Sequence, residues 1–176
     1  MDATNLAELY DLPTLEWAPI AARLEQGLTM APGTGGPDRH TCWLTTIDAD
    51  GRPHTTGIGA LWVDGSFWFE TGERTRKGRN LARDARCSLA LSTHEFDLVV
   101  EGTASLVDDP ATVAAMCDRW APEWPCSVDE SGVALTAEFS APSAGPPPWR
   151  VYRLTVERAT ALATTGTGGA TCWDFD

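Results

Sequence analysis

The sequence predicts a mainly β, β-rich α+β domain in which six or seven antiparallel strands curl into a closed or partly closed barrel with a few short helices. Three observations predict it. Short runs of β-branched and aromatic residues recur from Thr41 onward. Asp50-Gly51 and Asp64-Gly65 sit between such runs, where glycine supplies the positive φ that tight hairpin turns require. Helical periodicity is confined to brief segments separated by these runs. A chain of 176 residues is the usual size of one globular domain with one core. It contains no internal repeat, so residues 1–176 are expected to form a single domain.

Residues 1–13 read as a loosely held lead-in. Pro19 opens a helix whose Ile20, Leu24 and Leu28 fall on one face. Ala31 to Pro37 is a loop: it holds a Gly-x-Gly, but no strand precedes it, so it reads as a connector or a flap rather than a dinucleotide fingerprint. Thr41 to Ile47 forms a strand. His54 to Val63 forms the next, and Ser66 to Thr71 returns beside it. Gly57 and Gly59 interrupt the middle strand, which fits a bend in a curled sheet, close backbone approach to a flat ligand, or both. Thr75 to Arg83 is a short helix, followed by strands at Cys87 to Thr93 and Phe96 to Leu106. Asp109-Pro110 starts another helix, with Val113, Met116, Cys117 and Trp120 as its core-facing stripe. Ala121 to Pro148 is irregular. Trp149 to Thr155 and Glu157 to Ala163 read as the last two long strands, Gly166 to Gly169 as a turn, and residues 170–176 as a short tail.

Composition excludes several function classes. The formal net charge of −12 disfavours nucleic acid and anionic membranes as partners. No apolar run is long enough to span a bilayer. The start, Met1-Asp2-Ala3-Thr4-Asn5, lacks the basic and apolar stretches of a signal peptide, and a cytoplasmic protein is expected. The five cysteines (Cys42, Cys87, Cys117, Cys126, Cys172) and three histidines (His40, His54, His94) show no metal-site spacing, so most cysteines are expected to be buried as small hydrophobes and no metal is expected.

Charge is nevertheless focused. Of 13 Lys and Arg residues, Arg74, Arg76, Lys77, Arg79, Arg83 and Arg86 share one segment, and Lys77 is the only lysine. With Thr75 as N-cap, Arg76, Lys77 and Arg79 fall in the first helical turn, beside free N–H groups and the positive end of the helix dipole. A bound phosphate removes that repulsion by accepting N–H bonds and pairing with the cations, and Thr71 and Thr75 add hydroxyl donors. The competing reading is a solvated basic helix.

The pattern Thr71-x-x-x-Thr75-Arg76-Lys77-x-x-x-Leu81 after a strand resembles the phosphate-binding segment of the pyridoxamine 5′-phosphate oxidase-like split barrels, a superfamily that includes flavin and deazaflavin oxidoreductases. The order of elements agrees from about Thr41 to the strand ending Val100-Glu101-Gly102. The tail Thr171-Cys172-Trp173-Asp174-Phe175 is similar to the aromatic tail of the deazaflavin-using branch. The resemblance implies a homodimer of six- to seven-stranded antiparallel split β-barrels with Greek-key connections, and FMN or coenzyme F420 held between subunits. It implies that Arg76 and Lys77 bind the phosphate with Thr71 and Thr75, that Asn80 also belongs to the cofactor site, and that His54, Thr55, Thr56, Gly57, Ile58 and Gly59 run along the ring system. Trp173 is expected to approach from the tail. Asp97 stands where the vitamin B6 oxidases carry a glutamine, and the chain ends in Trp-Asp-Phe-Asp rather than an Arg-rich segment, which points away from vitamin B6 as substrate.

No nucleophile elbow or paired-carboxylate motif is present, so the cofactor is expected to carry the chemistry. The leading expectation is hydride transfer between FMN or F420 and a small conjugated or aromatic molecule, with Trp43, Trp62 and Trp68 as candidate stacking surfaces. Both cofactors fit Arg76 and Lys77; the tail and the 31–37 loop tilt the reading toward F420, whose long anionic tail would engage Arg74, Arg79 and Arg39. The rivals are a non-catalytic carrier of the same cofactor, a pyridoxamine phosphate oxidase-like oxidase, and a cofactor-free interaction domain.

Overall fold

The computed structural model describes residues 1–28 and 40–175; the Ala31–Pro37 loop and Arg39 lie outside them. Every strand pair is antiparallel. The barrel is built from β2 (Cys42–Ile47), β3 (Pro53–Ile58), β4 (Leu61–Val63), β5 (Ser66–Thr71), β6 (Arg86–Ser92), β7 (Phe96–Val107) and β10 (Arg150–Ala163). Its path runs β10-β7-β6-β2-β3 and returns to β10 through β4 and β5. β3 and β4 share no ladder, so the barrel is split where Gly59 and Ala60 join them. The strands alternate as a half-buried sheet requires: in β7, Phe96, Leu98, Val100, Gly102 and Ala104 are buried and Asp97, Val99 and Glu101 exposed. The fold is thus α+β with a dominant antiparallel sheet, as expected.

The remaining elements pack around this frame. β1 (Asp2–Asn5) and β11 (Ala170–Asp174) extend the sheet from the second half of β10. α1 (Trp17–Glu25) buries Ile20 and Leu24. α2 (Arg76–Arg83) follows β5, and α3 (Pro110–Trp120) starts on Asp109, whose carboxylate accepts the Thr112 N–H at 2.8 Å. A small hairpin of β8 (Ser127–Val128) and β9 (Leu135–Thr136) completes the set.

Four expectations change. The lead-in is not loose: Asp2 to Asn5 pairs with Asp174 to Thr171, giving the tail strand a partner and leaving fewer orphan backbone groups. The expected tail is likewise a strand, β11. The long middle strand breaks into β3 and β4, because Gly59 and Ala60 turn the chain from β2 toward β5. The last two strands are one, interrupted only by a bulge between Val156 and Arg158. Gly102 is why the bulge fits: a Cβ there would lie 1.9 Å from the Thr155 carbonyl oxygen.

Two cores result. Inside the barrel, Leu44, Phe67, Phe69, Leu89, Val100 and Leu154 are buried together with Trp173. Outside it, Trp68 and Val151 pack under Val113, Met116 and Trp120 of α3, with Leu135 and Trp149 from the irregular region. Each such side chain contributes roughly 1.5–3 kcal/mol when fully buried. Three of the five cysteines are buried; burial pushes the Cys42 and Cys87 thiols up to about 12. Among the described residues no helix is long and apolar enough to cross a membrane, and no cluster of His, Cys, Asp and Glu is arranged to hold a metal.

Candidate functional site

β5 delivers the chain to the basic segment with its side chains sorted by alternation. Phe67, Phe69 and Thr71 point into the barrel, and Trp68 and Glu70 belong to the other face, toward α3. The turn then closes tightly. The Gly72 N–H donates to the Ala144 carbonyl at 3.0 Å, and a Cβ on Gly78 would lie 2.5 Å from the Gly72 oxygen, so α2 sits hard against the turn. Thr75 is the N-cap: its hydroxyl accepts the Gly78 N–H at 3.0 Å and donates to the Gly72 carbonyl at 2.8 Å. It also shares a 3.0 Å hydrogen bond with the Thr71 hydroxyl, which is fully buried. The Arg76 and Lys77 N–H groups, at the start of the helix, have no acceptor within it.

Arg76 and Lys77 leave the helix in different directions. Arg76 forms a two-point pair with Asp48, with Nε to Oδ1 at 2.9 Å and a second contact from Nη2 to Oδ2. Asn80, almost fully buried, donates from Nδ2 to the same Asp48 oxygen at 2.9 Å and to Thr46 Oγ1 at 3.0 Å. Hydrogen bonds from Arg76 and then Asn80 pull the Asp48 carboxyl down to about 2, and the same bond pushes Arg76 up. Lys77 turns inward. It is 2% exposed, and its Nζ donates to the Ser143 carbonyl. Burial pulls its ammonium down, opposed by the charge of Glu70; burial in turn pushes the Glu70 carboxyl up to about 8.

Arg79, Arg83 and Arg86 are also engaged. Arg83 donates to the Ile47 carbonyl, Arg86 pairs with Asp84 at 2.7 Å, and Arg79 donates to the Arg74 carbonyl at 2.5 Å. The expected crowding of bare positive charge at the helix start is therefore relieved largely within the chain. What an anion finds here is narrower: two orphan N–H groups and one buried ammonium.

Two clefts flank the junction. The smaller, about 190 Å³, is lined by Gly59, Ala60 and Leu61 at the barrel split, by Glu70, by Trp120 and Trp124, and by Ser143, the residue that anchors Lys77. The wider, about 390 Å³, takes in Gly72, Arg74, Thr75, Ala144 and Arg150 on the other side of the turn. The structure thus places Gly59 at the smaller cleft and Thr75 at the wider one. It gathers Arg76 and Asn80 on Asp48, and the charge of nearby His54 also lowers the Asp48 carboxyl. Thr55 is exposed and bonded to Thr45 at 2.8 Å, and Thr56 is half-buried. Gly57 lies against Thr41 and Trp43, where an added Cβ would approach the Thr41 methyl to 3.3 Å.

Ile58, Thr71 and Trp173, three of the expected site residues, are buried in the single chain. Ile58 and Thr71 face the barrel interior. Trp173 is 1% exposed and packs against Trp17 at 5.4 Å, because β11 pairs between β1 and β10 and turns this ring into the core. Of the candidate stacking rings, Trp62 lies against Phe67 and Trp68 donates to the Val63 carbonyl, which leaves Trp43 exposed. Sequence reasoning missed Asp48, Ser143 and Glu70. Glu70 had a signal, as the single charge inside the run Ser66-Phe67-Trp68-Phe69-Glu70-Thr71.

A family model described as pyridoxamine 5′-phosphate oxidase matches residues 36–163. The chain belongs to the pyridoxamine 5′-phosphate oxidase family. It is 29% identical over 140 residues to a pyridoxine/pyridoxamine 5′-phosphate oxidase from Acidothermus cellulolyticus, covering 69% of this chain but 62% of that one, less than two thirds of its length. A protein of the same description from Methylibium petroleiphilum is 29% identical over 181 residues, 89% of this chain and 84% of that one. Among solved structures, a pyridoxamine 5′-phosphate oxidase-related, FMN-binding protein from Nostoc punctiforme superposes with a TM-score of 0.59 over 94% of each chain at 15% identity, a likeness of fold. Family membership makes this a flavin-binding-type scaffold with oxidase-like relatives, and it places the α2 junction and the barrel split inside the matched region.

Proposed function

We propose that this protein is a cytoplasmic, homodimeric oxidoreductase that binds FMN and transfers hydride between it and a small conjugated or aromatic molecule. The observation that carries the reading is the α2 start: orphan N–H groups of Arg76 and Lys77, with the buried Lys77 ammonium held beside the Gly59–Leu61 cleft, in a chain of this family. When bound, the cofactor supplies hydride transfer from its ring. The chain's own residues bind and orient it: Lys77 and the two N–H groups take the phosphate, Asp48 and Asn80 fix Arg76, and the backbone from His54 to Gly59 runs beside the ring. Trp120 and Trp124 restrict water. The small cleft falls short of the roughly 300–1,000 Å³ usual for small-molecule pockets, so a second copy is needed to complete it.

Coenzyme F420 is the second reading, favoured by one observation: Arg74 lines the wider cleft across the turn, where a long anionic tail would run. Equilibrium titration with FMN and with F420 tests both. Saturable binding of one is expected, weakened at least tenfold, or about 1.4 kcal/mol, by Lys77→Ala. Saturable binding of neither sinks the proposal. Tight binding without turnover of the reduced cofactor on quinones, dyes and enones would make the protein a carrier instead.

A further inference from the structure

Glu70 is the one ionisable side chain in β5, and alternation turns it out of the barrel toward α3. It is half-buried and lines the smaller cleft together with the Gly59–Leu61 corner and Ser143, whose carbonyl holds Lys77. Charged and titratable groups reach this space from every element packed on it. Lys77 comes from α2, Arg119 and Glu123 from the end of α3 and the turn after it, and Cys126 from the segment before β8. On the neighbouring strand β10, Val151 stands directly opposite, and Arg153, two residues further, is drawn away over Trp68 and onto Ser66. Among the described residues, Lys77 is the cation whose charge favours ionised Glu70.

We propose that Glu70 couples anion binding in this cleft to protonation: the protein takes up one solvent proton on the Glu70 carboxyl when a ligand phosphate engages Lys77. The inference rests on the cofactor reading above and deepens it. A phosphate at Lys77 claims the ammonium that stabilises the Glu70 carboxylate, and it adds negative charge beside the same cleft. Like charges sharing a partly buried cleft repel more strongly than in open water, whereas a neutral carboxyl beside the phosphate is not repelled and offers a donor. The step is a proton transfer alone: an O–H bond of the solvent donor breaks and one forms on a Glu70 carboxyl oxygen. In the free protein burial has already pushed this carboxyl up to about 8, so the coupling falls at mildly alkaline pH. The Glu70 contribution to affinity for a phosphate-bearing ligand is then constant below about pH 7 and falls by up to about tenfold per unit above about pH 8.

Lys77 is itself pulled down by burial, and its loss of charge in alkali would also weaken anion binding. The experiment separates the two. FMN and riboflavin, the same ring without the phosphate, are titrated calorimetrically at about pH 8 in buffers of different ionisation enthalpy, with the parent and with Glu70→Gln. The parent should take up about half a proton per FMN and none with riboflavin, and Glu70→Gln should take up none with either. FMN binding without proton uptake in the parent overturns the proposal and leaves the cofactor reading standing. Uptake that persists in Glu70→Gln assigns the proton to Lys77 and also overturns it. Failure of both FMN and F420 to bind overturns the cofactor reading and this proposal together. A carboxyl-carbon titration of the parent needs no variant: the Glu70 inflection should lie near pH 8 in the free protein and move higher on FMN loading, and an unmoved inflection counts against the coupling.

Discussion

A carboxyl that keeps its proton to about pH 8 leaves a mark on folding whether or not anything binds. In the unfolded chain Glu70 ionises in the ordinary range near 4.5; in the folded chain it does not. Between those values the folded state holds the extra proton, so stability falls as pH rises through that window and levels off above about 8. The slope from this one group is at most about 1.4 kcal/mol per pH unit. Glu70→Gln should therefore melt higher than the parent at pH 8 and close to it at pH 4.5, as thermal unfolding followed across pH will show. Equal melting differences at both pH values would mean that Glu70 reaches water. The same residue marks the limit of what was legible at this scale. Thr75 as N-cap and the bend at Gly59 were readable, since propensity and local sequence fix them. That Arg76 would spend two donors on Asp48, and that Lys77 would turn to Ser143, depends on residues brought near by folding, and no local pattern announces them.

At the scale of elements, hairpins with Asp-Gly turns and the stripe of α3 were predictable because their determinants lie within a few residues of each other. β1 was not: Asp2-Ala3-Thr4-Asn5 carries no apolar alternation, and its order comes from the free edge of β11. The continuity of β10 was hidden for a related reason. Val156 opposes Gly102 across a bulge that depends on a partner strand about fifty residues earlier in the chain. Gly102→Ala tests how much that joint carries. The new methyl would meet the Thr155 carbonyl oxygen of the backbone, which cannot rotate aside, so a loss near the upper end of the ~1–3 kcal/mol range for overpacking is expected. Urea unfolding should show a lower midpoint with an unchanged slope, and a midpoint within error of the parent would mean that β10 shifts freely at the bulge.

On the whole molecule, one sheet face has no cover among the described residues. Registers align Gly57, Trp43, Ala90, Val99 and Thr160 in a single row across β3, β2, β6, β7 and β10. Trp43 at 51% exposure and Val99 at 41% stand in it among small side chains, and Leu162 at 52% lies one step along β10 on the same side. An apolar ring and two aliphatic groups among small side chains are what a second copy in the proposed homodimer would bury, and in that reading the same copy completes the undersized cleft. Charge works the other way: each copy carries −12, so association joins two acidic bodies and must be driven by apolar burial. Two consequences follow for sedimentation measurements. Added salt should tighten the dimer by screening the repulsion rather than loosen it. Val99→Glu, which places one more negative charge at the centre of the row, should shift the protein to monomer with little change in monomer fold, and with it should go at least tenfold of FMN affinity, because the cleft loses its second wall. A variant that stays dimeric, or a monomer that binds FMN as tightly as the parent, would move the interface elsewhere on the barrel.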